Sequence, residues 1–127
     1  MPWTYVQKSG VLLDPDYKYA GTGYSGNGKG LNNPLMQKVR GIGPIPCGRW
    51  AIVGEPFDDD KMGRFVIRLK WMGDKLPFGR DGFCIHGDNY RHNKSASQGC
   101  PIFPPKVRQA IVDSGDRVFE VVSGLHK

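Results

Sequence analysis

The stretch that decides how the chain reads is Phe83-Cys84-Ile85-His86-Gly87-Asp88, a loop to Lys94, and then Ser95-Ala96-Ser97-Gln98-Gly99-Cys100-Pro101. Gly82-Phe83-Cys84-Ile85-His86 is a short β-type run ending in a histidine followed by glycine, so a strand delivers an imidazole at its own end. The chain then returns to a cysteine preceded by glycine and followed by proline. A thiol nucleophile needs a base within hydrogen-bond reach and backbone N–H donors aimed at the developing oxyanion. His86 can supply the base, and Gly99 removes side-chain bulk beside Cys100. A free thiol titrates near pH ~8.5, so a neighbour must activate it at neutral pH. On these residues alone, a buried inert cysteine beside an ordinary strand-end histidine explains the pattern as well as a catalytic pair does.

Working outward, the flanking segments are short β-type runs punctuated by turn residues. Trp3 to Val6 and Val11-Leu12-Leu13 read as a hairpin around Ser9-Gly10, with a further strand within Tyr17 to Tyr24. Arg49 to Val53, Phe65 to Trp71 and Arg117 to Val122 read as strands. Asn32-Asn33-Pro34 starts a short helix, Asn as cap and Pro in the first turn, with Leu35, Met36 and Val39 as its apolar stripe before Gly41. Lys106 to Asp113 predicts an amphipathic helix with Val107, Ala110 and Ile111 inward and Gly115 at its end. Tyr24-Ser25-Gly26-Asn27-Gly28-Lys29-Gly30 lacks the Gly-Lys-Ser/Thr ending of a phosphate loop and reads as a flexible loop. Asp58-Asp59-Asp60 reads as a solvated turn, its carboxylates too closely spaced for a calcium loop.

Composition sets the class. The 127 residues suit one domain spanning 1–127, with 39% hydrophobic and 24% charged residues, a soluble globular balance. The 18 glycines and 10 prolines show no repeat and favour a turn-rich, mainly β domain with one or two short helices. Net charge is +6, which favours anionic partners, but the cations are scattered and form no nucleic-acid tract. No apolar stretch reaches the roughly 18 residues that cross a bilayer, so membrane insertion is not expected. The N-terminus lacks the apolar segment of a secretory signal, so synthesis in the cytoplasm without one is expected. Three cysteines is an odd count and argues against a disulfide framework; Cys47 has no evident partner, and Cys84 is expected to be a small buried hydrophobe.

His-Gly, a loop, and then Ser-x-Gly-Cys resembles the signature of the L,D-transpeptidase catalytic domain, a β-rich peptidoglycan-processing fold with a cysteine nucleophile. Gly43-Pro44-Ile45-Pro46-Cys47-Gly48-Arg49-Trp50 resembles the Pro-x-Gly-aromatic segment that opens a strand in that family, and Gly79-Arg80-Asp81-Gly82-Phe83 before Ile85-His86-Gly87 also matches. With Tyr24-Ser25-Gly26 and Asn32-Asn33-Pro34, the chain looks most like the type VI secretion L,D-transpeptidase effectors, over roughly residues 3 to 122. The resemblance implies a β-sandwich or barrel with Cys100 as nucleophile and His86 as general base. It further implies that a carbonyl near Gly87 orients the imidazole, that the amides of Gly99 and Cys100 form an oxyanion hole, and that Ser97 braces the loop. Asp88 would support His86 or contact substrate amines. Many relatives carry an arginine soon after the cysteine, where this chain has Pro101-Ile102-Phe103. Arg80 is therefore the candidate for substrate carboxylates, with a surface or structural arginine as the alternative reading, and Tyr24 and Asn33 are further substrate-binding candidates.

The implied chemistry is acyl transfer on stem tetrapeptides, giving L,D-carboxypeptidase or exchange products, with no metal or organic cofactor. The implied setting is secretion and action in a target cell's periplasm, with an immunity protein and a secretion-apparatus component as partners. Two alternatives stand beside it. Cys84, His86, His92 and Cys100 could ligate zinc, although they lack paired knuckle spacing. A non-catalytic module could use the basic surface to hold an anionic wall polymer. His92 and His126 otherwise read as solvated.

Overall fold

The structure, a computed structural model, describes residues 2–89 and 94–125. In chain order the regular elements are β1 (Trp3–Val6), β2 (Val11–Leu13), β3 (Tyr19–Thr22), β4 (Gly48–Asp59), β5 (Gly63–Trp71), β6 (Cys84–Ile85), α1 (Pro105–Ser114) and β7 (Val118–Val122). The strands form a seven-stranded mixed sheet in the order β3-β2-β1-β7-β4-β5-β6. The expected hairpin is present, closed by the Gly10 N–H on the Val6 carbonyl at 2.8 Å. β1 runs parallel to β7, joining the two ends of the chain; all other named pairs are antiparallel.

Burial follows from position in this sheet. β1 lies between β2 and β7 and all four of its residues are buried, the pattern of a strand covered on both faces. β7 alternates, with Phe119 and Val121 turned into the core. The core is aromatic: Tyr5 meets Phe103 edge-on at 5.6 Å and stacks with Phe119 at 5.9 Å, while Trp50 meets Phe83 edge-on at 5.1 Å. Such pairs add about 0.5–1.5 kcal/mol beyond their area burial.

The sheet does not end in two free edges. Ile102 forms an antiparallel bridge with Tyr24, just beyond β3, and a parallel bridge with His86, just beyond β6. One short segment thus links both edges and gives the sheet a barrel-like closure. That segment carries Cys100.

Four local expectations change. β4 runs past Val53 to Asp59 because Gly54 and Pro56 are taken up as a register irregularity between Val53 and Phe57, which keeps the pairing with β5. Asn33 caps the segment that follows it, its Oδ1 accepting the Leu35 N–H at 3.1 Å, but only a single 3₁₀ turn over Pro34–Met36 forms. A turn that short cannot present an apolar stripe, and Leu35 is 85% exposed. In α1 the buried face is Val107, Arg108 and Ile111, with Ala110 exposed. The glycine-rich segment is tied down: Ser25 is fully buried, and Asn27 donates to the carbonyls of Gly41 and Ser97 at 2.8 and 2.7 Å.

Candidate active site

Cys100 approaches the barrel on the closing segment and packs beside β6. The Cys84 N–H points at Cys100 Sγ over 3.4 Å, so the two cysteines are neighbours, both free thiols. The parallel bridge between His86 and Ile102 sets the register. Counting back two residues on each chain places Cys84 opposite Cys100 and puts His86 on the same face. Cys100 is half-buried and lines an open cleft of about 420 Å³ with Arg40, Arg80, Phe83 and Gln98.

The loop before Cys100 is fixed by buried polar groups. Ser97 Oγ donates to the Cys100 carbonyl at 2.6 Å and accepts the N–H groups of Gly26 and Gly99 at 2.9 and 3.0 Å. Ser25 Oγ donates to the Gly99 carbonyl at 2.6 Å. Gly99 sits at φ 135, a region costly for other residues. A Cβ there would lie 2.6 Å from Arg80 Nη2 and 2.8 Å from the Phe83 ring. Because Ser97 Oγ already engages the Gly99 N–H, Cys100 supplies the one N–H of the expected oxyanion pair that has no acceptor among the described residues.

Arg80 is 3% exposed. Its Nη1 donates to the carbonyls of Gln37 and Pro44 at 2.6 and 2.8 Å, and its Nη2 to those of Gly43 and Gln98 at 3.1 and 3.3 Å. The expectation that it receives a substrate carboxylate therefore meets a guanidinium whose Nη donors hold four carbonyls. Its role in the fold is to clamp the 37–44 segment to the loop that carries Cys100.

His86 is 5% exposed, and its Nδ1 lies 2.9 Å from the Gly87 carbonyl. A carbonyl only accepts, so Nδ1 carries the proton and Nε2 holds the lone pair of a neutral ring. Burial depresses the imidazole pKa, and the Arg108 guanidinium adds to this. The Gly87 carbonyl, Asp59 and Asp88 oppose it. The Cys100 thiol is pushed up to about 11, chiefly by burial, with the Cys84 N–H and Arg80 pulling the other way. At neutral pH the pair rests as thiol and neutral imidazole. Among the described residues the two side chains share no hydrogen bond. His86 instead lines a neighbouring cleft of about 260 Å³ under Lys61, Met62 and Gly63 at the tip of the β4–β5 hairpin.

The remaining expected residues divide. Asp88 lies in the His86 cleft and accepts the Tyr24 hydroxyl at 2.8 Å; that hydroxyl accepts the Ala96 N–H at 3.1 Å. Tyr24 is thus a buried tie between loops, its pKa raised to about 12 mainly by burial. Asn33 is not brought to either cleft: its amide donates to Lys29, and it lines a different surface pocket with Lys8 and Leu125. Cys47 does have a partner, donating to Gln7 Oε1 at 3.3 Å. Of the zinc set, His92 lies outside the described residues, as does His126; among the described residues no three His, Cys, Asp or Glu side chains are grouped to hold a metal. Asp59 accepts the Lys61 and Met62 N–H groups, as a turn carboxylate should.

Sequence reading missed two cations. Arg40, exposed on the rim of the Cys100 cleft, carries no local signal that marks it. Arg108 does: it falls next to Val107 on the apolar stripe of α1, where a charge is rarely buried without a purpose.

Residues 20–118 match the family described as the Tlde1 domain. The chain belongs to that family. Tlde1 proteins are type VI secretion L,D-transpeptidase effectors, so the chain is placed with peptidoglycan-related effectors. The matched span runs from β3 to the first residue of β7 and includes both His86 and Cys100. No curated protein and no solved structure matches the chain.

Proposed function

We propose that this Tlde1-domain chain is a cysteine-dependent L,D-carboxypeptidase and transpeptidase acting on peptidoglycan stem tetrapeptides in a target cell's periplasm. The observation that carries the reading is a half-buried Cys100 on the wall of an open cleft, on one face with a His86 whose Nδ1 is held by Gly87. That bond leaves Nε2 as the acceptor a thiol requires. The thiol is not preformed as thiolate, so proton transfer accompanies attack. Sγ bonds to the carbonyl carbon between the L-centre of the diamino residue and the terminal D-alanine, while the S–H proton passes to His86. The Cys100 N–H meets the oxyanion. Collapse breaks the C–N bond, His86 protonates the departing D-alanine amine, and a thioester remains. Water or an incoming amine then cleaves the C–S bond and the thiol regains its proton. Exposed Arg40 on the rim of the Cys100 cleft is the cation for the terminal carboxylate, in place of the arginine missing after Cys100. An immunity protein would occlude this cleft, and the net charge of +6 helps hold an anionic wall.

The test is incubation with purified muropeptides and mass spectrometry of the products. Wild type releases D-alanine; Cys100→Ala releases none, and His86→Gln releases at least 100-fold less, the order of effect expected of a general base. Equal turnover by Cys100→Ala overturns the reading and favours a non-catalytic wall-binding module.

A further inference from the structure

Ser25 is fully buried, and its hydroxyl works in two directions. Oγ donates to the Gly99 carbonyl at 2.6 Å and accepts the Ile45 N–H at 2.9 Å. The Ser25 backbone is itself tied both ways to Asn32: its N–H reaches Asn32 Oδ1 at 3.1 Å, and its carbonyl accepts the Asn32 N–H at 2.9 Å. The hydroxyl is therefore a fixed point between the core residue Ile45 and the loop that carries Cys100.

That point holds one end of a peptide unit. Gly99 and Cys100 have four backbone polar groups between them, and three are engaged. The Gly99 N–H and the Cys100 carbonyl are on Ser97 Oγ, and the Gly99 carbonyl is on Ser25 Oγ. The Cys100 N–H has no acceptor among the described residues. Ser97 thus fixes the peptide units before and after, whereas Ser25 holds the Gly99–Cys100 unit itself. In a planar trans peptide the carbonyl and the N–H point opposite ways, so a carbonyl held inward on Ser25 turns the Cys100 N–H away from the core. Glycine tolerates either orientation of the unit that follows it, so Gly99 does not enforce this choice. A flip would bury the N–H and present a carbonyl oxygen, which repels a developing oxyanion.

We propose that Ser25 is a positioning residue for acyl transfer at Cys100: its hydroxyl pins the Gly99 carbonyl and thereby keeps the Cys100 N–H available to the oxyanion. The inference rests on the thiol chemistry proposed above, and its test uses an acyl donor that does not depend on the stem-peptide substrate.

The test compares two reagents at the same sulfur, in the full chain. With p-nitrophenyl acetate, Sγ bonds to the carbonyl carbon, the carbonyl oxygen takes up the electron pair, p-nitrophenolate leaves, and the thiol proton passes to solvent. Iodoacetamide is attacked at carbon with loss of iodide, and no oxyanion forms. Both adducts are read at Cys100 by peptide mass spectrometry in wild type, Ser25→Ala, Ser25→Cys and Ser25→Thr, at a temperature where each is folded. Loss of one oxyanion donor costs about 10²–10³ in rate, so a partly flipped peptide lowers the ratio of acylation to alkylation at least tenfold in Ser25→Ala, with alkylation itself within threefold of wild type. Ser25→Cys offers only a weak donor and gives the same drop, which carries the comparison should Ser25→Ala fail to fold. Ser25→Thr keeps a hydroxyl and holds the ratio within threefold. An unchanged ratio in Ser25→Ala or Ser25→Cys, or acylation and alkylation falling together, overturns the proposal. The ratio is read without a muropeptide, so absence of D-alanine release by wild type would count against the proposed function and not against the role of Ser25.

Discussion

Replacing Arg80 separates a clamp from a substrate ligand. Its guanidinium holds four carbonyls, two of them at 2.6 and 2.8 Å and two at 3.1 and 3.3 Å from a single nitrogen. A carbonyl left unpaired in the interior costs about 1–3 kcal/mol. Counting the two short bonds in full and the two long, shared ones as negligible gives a loss of about 2–6 kcal/mol for Arg80→Met. For a domain of this size that corresponds to a melting point lower by roughly 8–22 °C. Arg80→Lys presents one ammonium in place of a fork, cannot reach all four oxygens, and falls about halfway between. The assay is thermal unfolding followed by steady-state D-alanine release at a temperature where both variants are folded. The reasoning predicts a large drop in stability with KM changed less than threefold for Arg80→Lys. An Arg80→Lys protein that melts within about 2 °C of wild type while KM rises tenfold would refute it and return Arg80 to the substrate.

Three further outcomes are expected. Alkylation of Cys100 by iodoacetamide keeps rising about tenfold per pH unit from 7 to 9, because burial holds the thiol up at about 11; a plateau by pH 8 contradicts that. His86 is depressed in the folded chain relative to its unfolded value of ~6.5, so the unfolded state takes up its proton first. Its contribution to stability is full above pH ~6.5 and is lost as pH falls through the folded value. Urea unfolding at pH 7.5 and pH 5 should show this loss, and His86→Gln should lose less stability over the same interval. Gly99→Ala combines a φ of 135 with a Cβ set against Arg80 and Phe83. It should destabilise by about 2–4 kcal/mol, read as a lower denaturant midpoint.

What could be read from the chain alone was local. The β1–β2 hairpin, β5 and α1 announce themselves through turn glycines, alternation and an apolar stripe. The family-like spacing of His86-Gly87 and Ser97-Gln98-Gly99-Cys100 singles out the candidate site, where Ser97 hydrogen-bonds Gly26, Gly99 and Cys100. Non-local pairing was out of reach: nothing near Trp3 says that it will lie parallel to Phe119, or that Ile102 will join both sheet edges. Gly54 and Pro56 look like the end of a strand, yet β4 tolerates them because an irregular register keeps the ladder with β5 on either side. The buried arginines were hidden for another reason. A lone arginine is by default a surface residue, and only the fold reveals the backbone carbonyls that make burial of Arg80 and Arg108 affordable.

The closing segment has one more consequence. Tyr24 and Ile102 exchange both backbone hydrogen bonds, at 3.2 and 2.7 Å, while the His86 N–H reaches the Pro101 carbonyl at 3.2 Å and the Phe103 N–H reaches the His86 carbonyl at 3.0 Å. A single tripeptide therefore stitches the first third of the polypeptide to its last third. Exposed strand margins invite pairing with other chains, and here their concealment and the docking of the Cys100 sulfur beside β6 happen in one stroke. During refolding, hairpins from adjacent sequence assemble before this long-range stitch, so the Cys100 thiol reaches its place beside Cys84 only when the ring is shut.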